Sequence, residues 1–250
     1  GLKTAVVTRL AEEDLPVLAE LKELGVEVLA HCVASSTCLR LEYPTDNVDK
    51  RLMWVTSTAG EFGVEEVGGL RAKRVVIGGS IRGEVGIEVL GALVSHKMPL
   101  SLDVQGFMRV IRDGKLFYEE WPEKKEVLSL VDILKADAVE AEQLTGCSDI
   151  GEAAQMLSEL GPAEILITHR DGVLIFDGED FHCTGFFPEK LIGRSGRGDT
   201  CLAAYTAARL TSPPAKALIW AAAVTSLKME AEGPFRRDLR DVKELIAASY

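Results

Sequence analysis

Short uninterrupted apolar runs alternate along this chain with longer stretches whose apolar residues recur every three or four positions. "TAVVT" (4–8) reads as a buried strand. "EEDLPVLAELKELG" follows with Leu15, Val17, Leu18, Leu21 and Leu24 at helical spacing and a stop at Gly25, so it predicts a helix. "VEVLAHCV" is a second strand. "STCLRLEYP" and "KRLMWVTST" are β-rich and flank the turn-forming "TDNVD", which predicts a hairpin within about 33–57. Regular alternation follows: "KRVVIGG" strand, "EVGIEVLGALVSHK" helix, "LSLDVQG" strand, "KKEVLSLVD" helix, "ILKAD" strand, "AVEAEQLTG" and "DIGEAAQMLSELG" helices, "EILITH" strand. "GVLIFDG" and "EDFHCTGFF" predict an antiparallel pair, and three helices close the chain: one after "GRGDT", then "PAKALIWAAAVTSLKME", then "LRDVKELIAAS".

Strands separated by helices of this length need crossover connections. The pattern therefore predicts an α/β fold whose main sheet is mostly parallel and covered on both faces. No internal repeat, low-complexity segment or linker divides the 250 residues, so a single domain, 1–250, is expected.

Composition narrows the function. With 28 basic and 39 acidic residues the net charge is −11, which argues against a nucleic-acid-binding face but leaves room for a small anion at a local positive patch. Cys32, Cys38, Cys147, Cys183 and Cys201 are scattered and never spaced C-x-x-C. Such usage predicts a reducing, cytoplasmic setting without structural zinc. No apolar run is long enough to span a bilayer, and no membrane partner is expected. The first residues turn acidic at Glu12 and do not resemble a signal peptide.

"GRSGRGDTCLAAYTAARL" (193–210) concentrates the candidate chemistry. The first amides of a helix have no partner within it and carry the positive end of its dipole, and glycines let an anion approach them. Gly196, Arg197 and Gly198 therefore read as an anion cradle at a helix start. Asp199 would repel a bound phosphate, yet it makes sense as the base for a hydroxyl attacking that phosphate. These residues taken alone fit equally a helix cap and a tight turn.

The segment "SGRGDTCLAAYTAA" resembles the signature near the C-terminus of the ribokinase-like (PfkB) family of sugar kinases, which ends in Gly-Ala-Gly-Asp before a helix of small residues. The resemblance implies a ribokinase-like three-layer sandwich with a small β lid. It further implies backbone amides of Gly196, Arg197 and Gly198 on the transferred phosphoryl and Asp199 as catalytic base. Arg197 stands where the family usually has Ala, and Gly193-Arg194 where it often has Asp-Thr. An arginine there adds a charge-assisted contact to phosphate or an acidic substrate, or else points to solvent.

Other segments agree in order and spacing. "KADAVEAEQLTG" resembles the family's Asn-x-x-Glu segment, with Asp137 at the Asn position and Glu140 at the Glu position, a pair that there organises Mg²⁺ and its waters. Without the resemblance the same stretch reads as an amphipathic helix with exposed acids. "ILITHRDGVLIFDG" resembles the strand–turn–strand that lies along the nucleotide. Thr168 and Gly172 fit it, the turn is one residue shorter, and His169 or Arg170 would reach a phosphate unless they are solvated. "ALIWAAAVTSLKMEAEGP" resembles the late helix behind the adenine ring, so Ala222 and Val224 would offer an apolar wall as well as packing helices. Asp103 and Gln105 in "SLDVQGFMR" are expected at the C-terminal end of a parallel strand, where α/β sheets bind ligands. For Asp103, capping of a following turn is an equal reading. "DVQGF" together with "GRGDT" resembles a subset acting on inositol or related polyols and keto-sugar acids.

The resemblance omits the family's N-terminal strand and Gly-Gly segment, so an incomplete record of a longer chain is expected. It implies an ATP-dependent kinase for a sugar or polyol hydroxyl, with Mg²⁺. The predicted hairpin would be a lid that excludes water, and lid pairing between subunits would give a homodimer. A catalytically inactive nucleotide- or sugar-binding regulator of the same fold is the rival, against which the retained Asp199 argues. A Rossmann oxidoreductase lacks support, since no G-x-G-x-x-G follows the first strand.

Overall fold

The computed structural model of the chain describes residues 2–42, 44, 52–193 and 195–250. Its elements run β1 (Ala5–Ala11), a 3₁₀ stretch (Glu12–Leu18), α1 (Ala19–Glu23), β2 (Glu27–Val33), β3 (Cys38–Glu42), β4 (Leu52–Ser57), α2 (Val64–Val67), β5 (Val75–Ile77) and α3 (Ile87–Ser95). Then come β6 (Leu100–Asp103), α4 (Gln105–Met108), β7 (Arg109–Arg112), β8 (Lys115–Tyr118), α5 (Lys124–Leu128), β9 (Ile133–Asp137), α6 (Ala138–Thr145) and α7 (Ile150–Ser158). The last are β10 (Glu164–Thr168), β11 (Gly172–Phe176), β12 (Phe181–Gly185), α8 (Arg197–Ala208), α9 (Pro214–Lys228) and α10 (Leu239–Ser249). They form two compact units, one of residues 1–71, 79–96 and 105–119, the other of 72–78, 97–104 and 120–250.

In the first unit β1 and β2 pair in parallel, and β3, β4, β8 and β7 make a four-stranded antiparallel sheet in that order. The expected hairpin is present as the β3–β4 pair, while its turn at 45–49 lies outside the described residues. The other half of this sheet was not expected. The β7–β8 hairpin turns through Asp113 (φ 49°) and Gly114 (φ 75°), the left-handed pair that a type I′ turn demands. Arg40 and Lys115 both lie over the Trp54 ring, 5.6 and 4.4 Å from its centre. The first predicted helix is also corrected. Its first seven residues are 3₁₀, because Pro16 has no N–H for an α-helical bond, and Val17 and Leu24 are exposed.

The second unit carries a six-stranded sheet in the order β12-β11-β10-β9-β6-β5. β5, β6, β9 and β10 are parallel; β11 and β12 add antiparallel strands at one edge. Near-continuous apolar runs make these strands. All five residues of β10 are buried, as are all five of β11. Leu166, Val173 and Ile175 pack with Cys201, Leu202, Tyr205, Leu218 and Ala221 of α8 and α9. Strand alternation sends the fully buried Ile165 and Ile167 to the opposite face, and α7 packs there with Ala153, Ala154 and Leu157 inward. Burying a side chain such as Leu166 stabilises by about 1.5–3 kcal/mol. Among the described residues no helix is long and apolar enough to cross a membrane.

Candidate active site

The strand ends of the second unit build an ionic cluster. Pairing of β6 with β9 puts Asp103 beside Lys135, and the Lys135 ammonium lies 2.9 Å from Asp103 Oδ2 and 3.6 Å from Glu140 Oε2. All three residues are almost wholly buried. Burial lowers the Lys135 pKa, but Asp103 and Glu140 outweigh it and hold the ammonium above its ordinary range. Burial pushes the Glu140 carboxyl up, against the pull of Lys135. The cluster is high-stakes: breaking a buried pair by removing one partner costs about 3–5 kcal/mol.

Asp137 ends β9 and caps α6. Its Oδ1 accepts the Glu140 amide at 2.8 Å, while Glu140 Oε2 accepts the Asp137 amide at 2.8 Å, a capping box. The two acids expected at a metal site therefore also start the helix, and Glu140 is buried rather than exposed. Thr168, at the end of β10 and buried, is the register partner of Asp137.

The loop ahead of α8 supplies the second half of the site. Gly196 is the N-cap residue in the left-handed conformation (φ 78°, ψ 11°), and no side chain caps the helix. Arg197, Gly198 and Asp199 are its first three residues; the Thr200 amide is the first to bond back, to Gly196 O at 3.0 Å. The amides of 197–199 thus have no partner within the helix, the arrangement in which a helix start receives an anion. Asp199 is not the helix cap. It is the third residue of the helix, exposed, and no described residue hydrogen-bonds its carboxylate. A Cβ on Gly198 would stand 2.7 Å from Lys135 Nζ and 3.7 Å from Asp103 Oδ2, so the loop joins the ionic cluster. The Arg197 guanidinium lies 6.0 Å from the Phe186 ring centre.

Other expected residues fall elsewhere. Gln105 is not on the strand: β6 stops at Asp103, and Gln105 opens the short helix α4, half-buried. Gly172 opens β11 opposite Gly185, where any Cβ would strike the Thr184 carbonyl. Arg170 is exposed and its nearest acid, Asp171 at 3.9 Å, is exposed too, a pair of little energetic weight. Ala222 is fully buried against α8 and the sheet, and Val224 packs with Val242 of α10. Burial lowers the His169 pKa, and the Arg197 charge adds to that effect against Asp171. Two lysines at the site, Lys135 and Lys228, were not anticipated. Lys228 ends α9, is buried, and its ammonium donates to the carbonyls of Gly193 and Ser195. A lysine inside the otherwise apolar strand segment "ILKAD" is the one signal that could have found Lys135.

A helix start whose first amides have no intrahelical partner, an exposed acid on its first turn and a buried ionic cluster against it fit phosphoryl transfer. The family profile described as pfkB family carbohydrate kinase matches residues 75–236, which hold all of these groups. The chain belongs to the pfkB family of carbohydrate kinases. Its fold is ribokinase-like. A sulfate complex of a pyrophosphate-dependent kinase in the ribokinase family superposes with a TM-score of 0.90 at 36% identity, over 97% of this chain and 86% of that one. A pyrophosphate-dependent kinase of the same family, complexed with a pyrophosphate analogue and myo-inositol, gives a TM-score of 0.89 at 36% identity with the same coverage. The cytidine kinase of Thermococcus kodakarensis is 33% identical over 78 residues, 30% of this chain and 28% of that protein's length.

Proposed function

We propose that this carbohydrate kinase transfers a phosphoryl group to a hydroxyl of a sugar or polyol, with a cyclic polyol of the inositol class as first candidate. The observation that carries the reading is the Asp199 carboxylate, exposed, hydrogen-bonded to no described residue and on the same first turn as the amides of 197–199. Asp199 takes the hydroxyl proton, and the amides hold the transferring group where its charge develops. Asp103 and Gln105 are proposed on the acceptor side. The β3–β4 hairpin is proposed as the lid, and pairing of two such lids as the route to a homodimer.

For the donor we propose pyrophosphate. Neighbours at 36% identity are named for that donor. Arg197 and Lys228 bring extra positive charge to the loop of a chain with net charge −11. A compact, highly charged inorganic donor suits such a site. Ala222 and Val224 face packed interior, so an adenine wall there would need them uncovered. ATP, implied by the motifs, is the second donor to test, with Thr168, Arg170 and Gly172 along it.

For magnesium, Asp137 is the half-buried acid, while Glu140 is buried on Lys135 and the Asp137 amide, so the pair would act on an ion through its waters; no three His, Cys, Asp or Glu side chains form a dedicated cage among the described residues. Such a pair suits an ion that keeps several waters and takes its other ligands from phosphates. When bound, the ion would neutralise donor phosphate charge. The test is phosphate transfer by the purified protein with Mg²⁺ and either pyrophosphate or ATP, against a panel of inositols, sugars and nucleosides. Product formed from inositol and pyrophosphate supports the reading; no transfer to any alcohol with either donor overturns it.

A further inference from the structure

Lys228 is the last residue of α9 and only 3% exposed. A buried ammonium ordinarily has a carboxylate partner. This one has none within ion-pair distance among the described residues, Asp199 acting on it only from farther off; its hydrogen bonds run to backbone carbonyls, Gly193 O at 3.2 Å and Ser195 O. Both carbonyls belong to the loop that enters α8. Carbonyl oxygens converging on a cation replace its hydration shell, which is how proteins hold potassium and ammonium ions. The end of α9 adds the negative end of its dipole. The loop is tied to the same helix end by Ile192 and Gly193, whose amides both donate to Met229 O, at 2.9 and 3.0 Å.

The planar trans peptide carries this contact into the site. C=O and N–H of one peptide unit point in opposite directions. Holding the Ser195 carbonyl on the Lys228 side therefore turns the Gly196 amide to the other side. Gly196 is the left-handed residue that starts α8, and a Cβ there would stand 4.0 Å from Lys228 Nζ, so the ammonium also lies close to the turn that leads into the 197–199 amides.

We propose that Lys228 is a positioning residue: a cation tethered to the fold that takes the place of a free monovalent cation, fixes the 193–196 backbone and keeps the anion-binding amides aimed. It follows that the protein works without added potassium or ammonium. This rests on the phosphoryl-transfer reading above, in which those amides hold the transferring group.

The test uses the whole chain and Lys228→Met, which keeps the length of the side chain and removes its charge. Wild type is assayed in a tetramethylammonium buffer with and without added potassium or ammonium chloride. Equal rates are expected, and stimulation by either ion overturns the proposal even where the variant does not fold. For Lys228→Met, kcat is expected to fall about 10- to 100-fold and to recover several-fold with ammonium or potassium ions but not with tetramethylammonium. A variant that folds and keeps the wild-type rate overturns the proposal, as does a loss that neither ion reverses. Hydrogen exchange of the 195–200 amides reads the loop without any turnover. Faster exchange in Lys228→Met, slowed again by ammonium, is expected, and unchanged exchange overturns the proposal. If wild type transfers no phosphate while the exchange behaves as expected, the catalytic reading fails and the positioning role of Lys228 stands.

Discussion

Lys135 Nζ stands 2.9 Å from Asp103 Oδ2, and the two residues are register partners on neighbouring parallel strands. The ion pair is thus set by the sheet itself, at the strand ends from which α/β proteins present ligand sites. Lys135→Met leaves Asp103 and Glu140 buried without their cation. It should destabilise the chain by about 3–5 kcal/mol, and Lys135→Met with Asp103→Asn by less than the sum of the single changes. Urea unfolding of the four proteins of that cycle checks both statements; additive losses would mean that the pair is not energetically coupled.

Gly198→Ala tests the contact between that cluster and the anion loop. The new Cβ would lie 2.7 Å from a lysine pinned by two carboxylates. Lys135 has little room to give, so the first turn of α8 must shift. Stability should fall by about 1–3 kcal/mol and turnover by at least about tenfold. Thermal unfolding and kcat measured together decide it, since a shift of the loop alone would lower kcat with little change in midpoint.

Acid sensitivity has a local source in the first unit. Burial pushes the Glu66 carboxyl up, but the Gly63 amide at 2.7 Å, the Arg9 guanidinium on both oxygens and His31 more than offset that, leaving it below its ordinary value. A carboxylate with a depressed folded pKa adds stability that is present above its unfolded pKa. That contribution is lost as pH falls from about 4.3 through the lower folded value. Glu66→Gln should cost about 1–3 kcal/mol at neutral pH and flatten the decline of stability between roughly pH 5 and 3. Stability curves against pH for both proteins check this; parallel curves would contradict it.

Much of the second unit was legible because its signals are local. The apolar runs of β10 and β11, and helices α7 and α10, which start at Asp149 and Asp238, could be read residue by residue. The β7–β8 hairpin also has a local signal, Asp113-Gly114 between β-rich flanks, but it sits inside an alternating α/β pattern that favours crossovers. The 3₁₀ start at Glu12 follows from one proline within an otherwise helical pattern. At the site, the loop before α8 and its acid were legible from glycine spacing. Lys135 and Lys228 were not, because a lysine reads as solvated until sheet register or a helix end buries it. Nor could spacing foretell that Gln105 leaves the strand for a helical turn.

Asp199→Asn bears most directly on the central claim, that an exposed acid on the first turn of α8 deprotonates the acceptor hydroxyl while neighbouring amides hold the phosphoryl group. The substitution keeps size and helix position, so the fold and pyrophosphate binding should be nearly unchanged. The turnover number should fall by about 10³-fold or more. A variant that binds the donor normally and turns over at close to the wild-type rate would contradict the account.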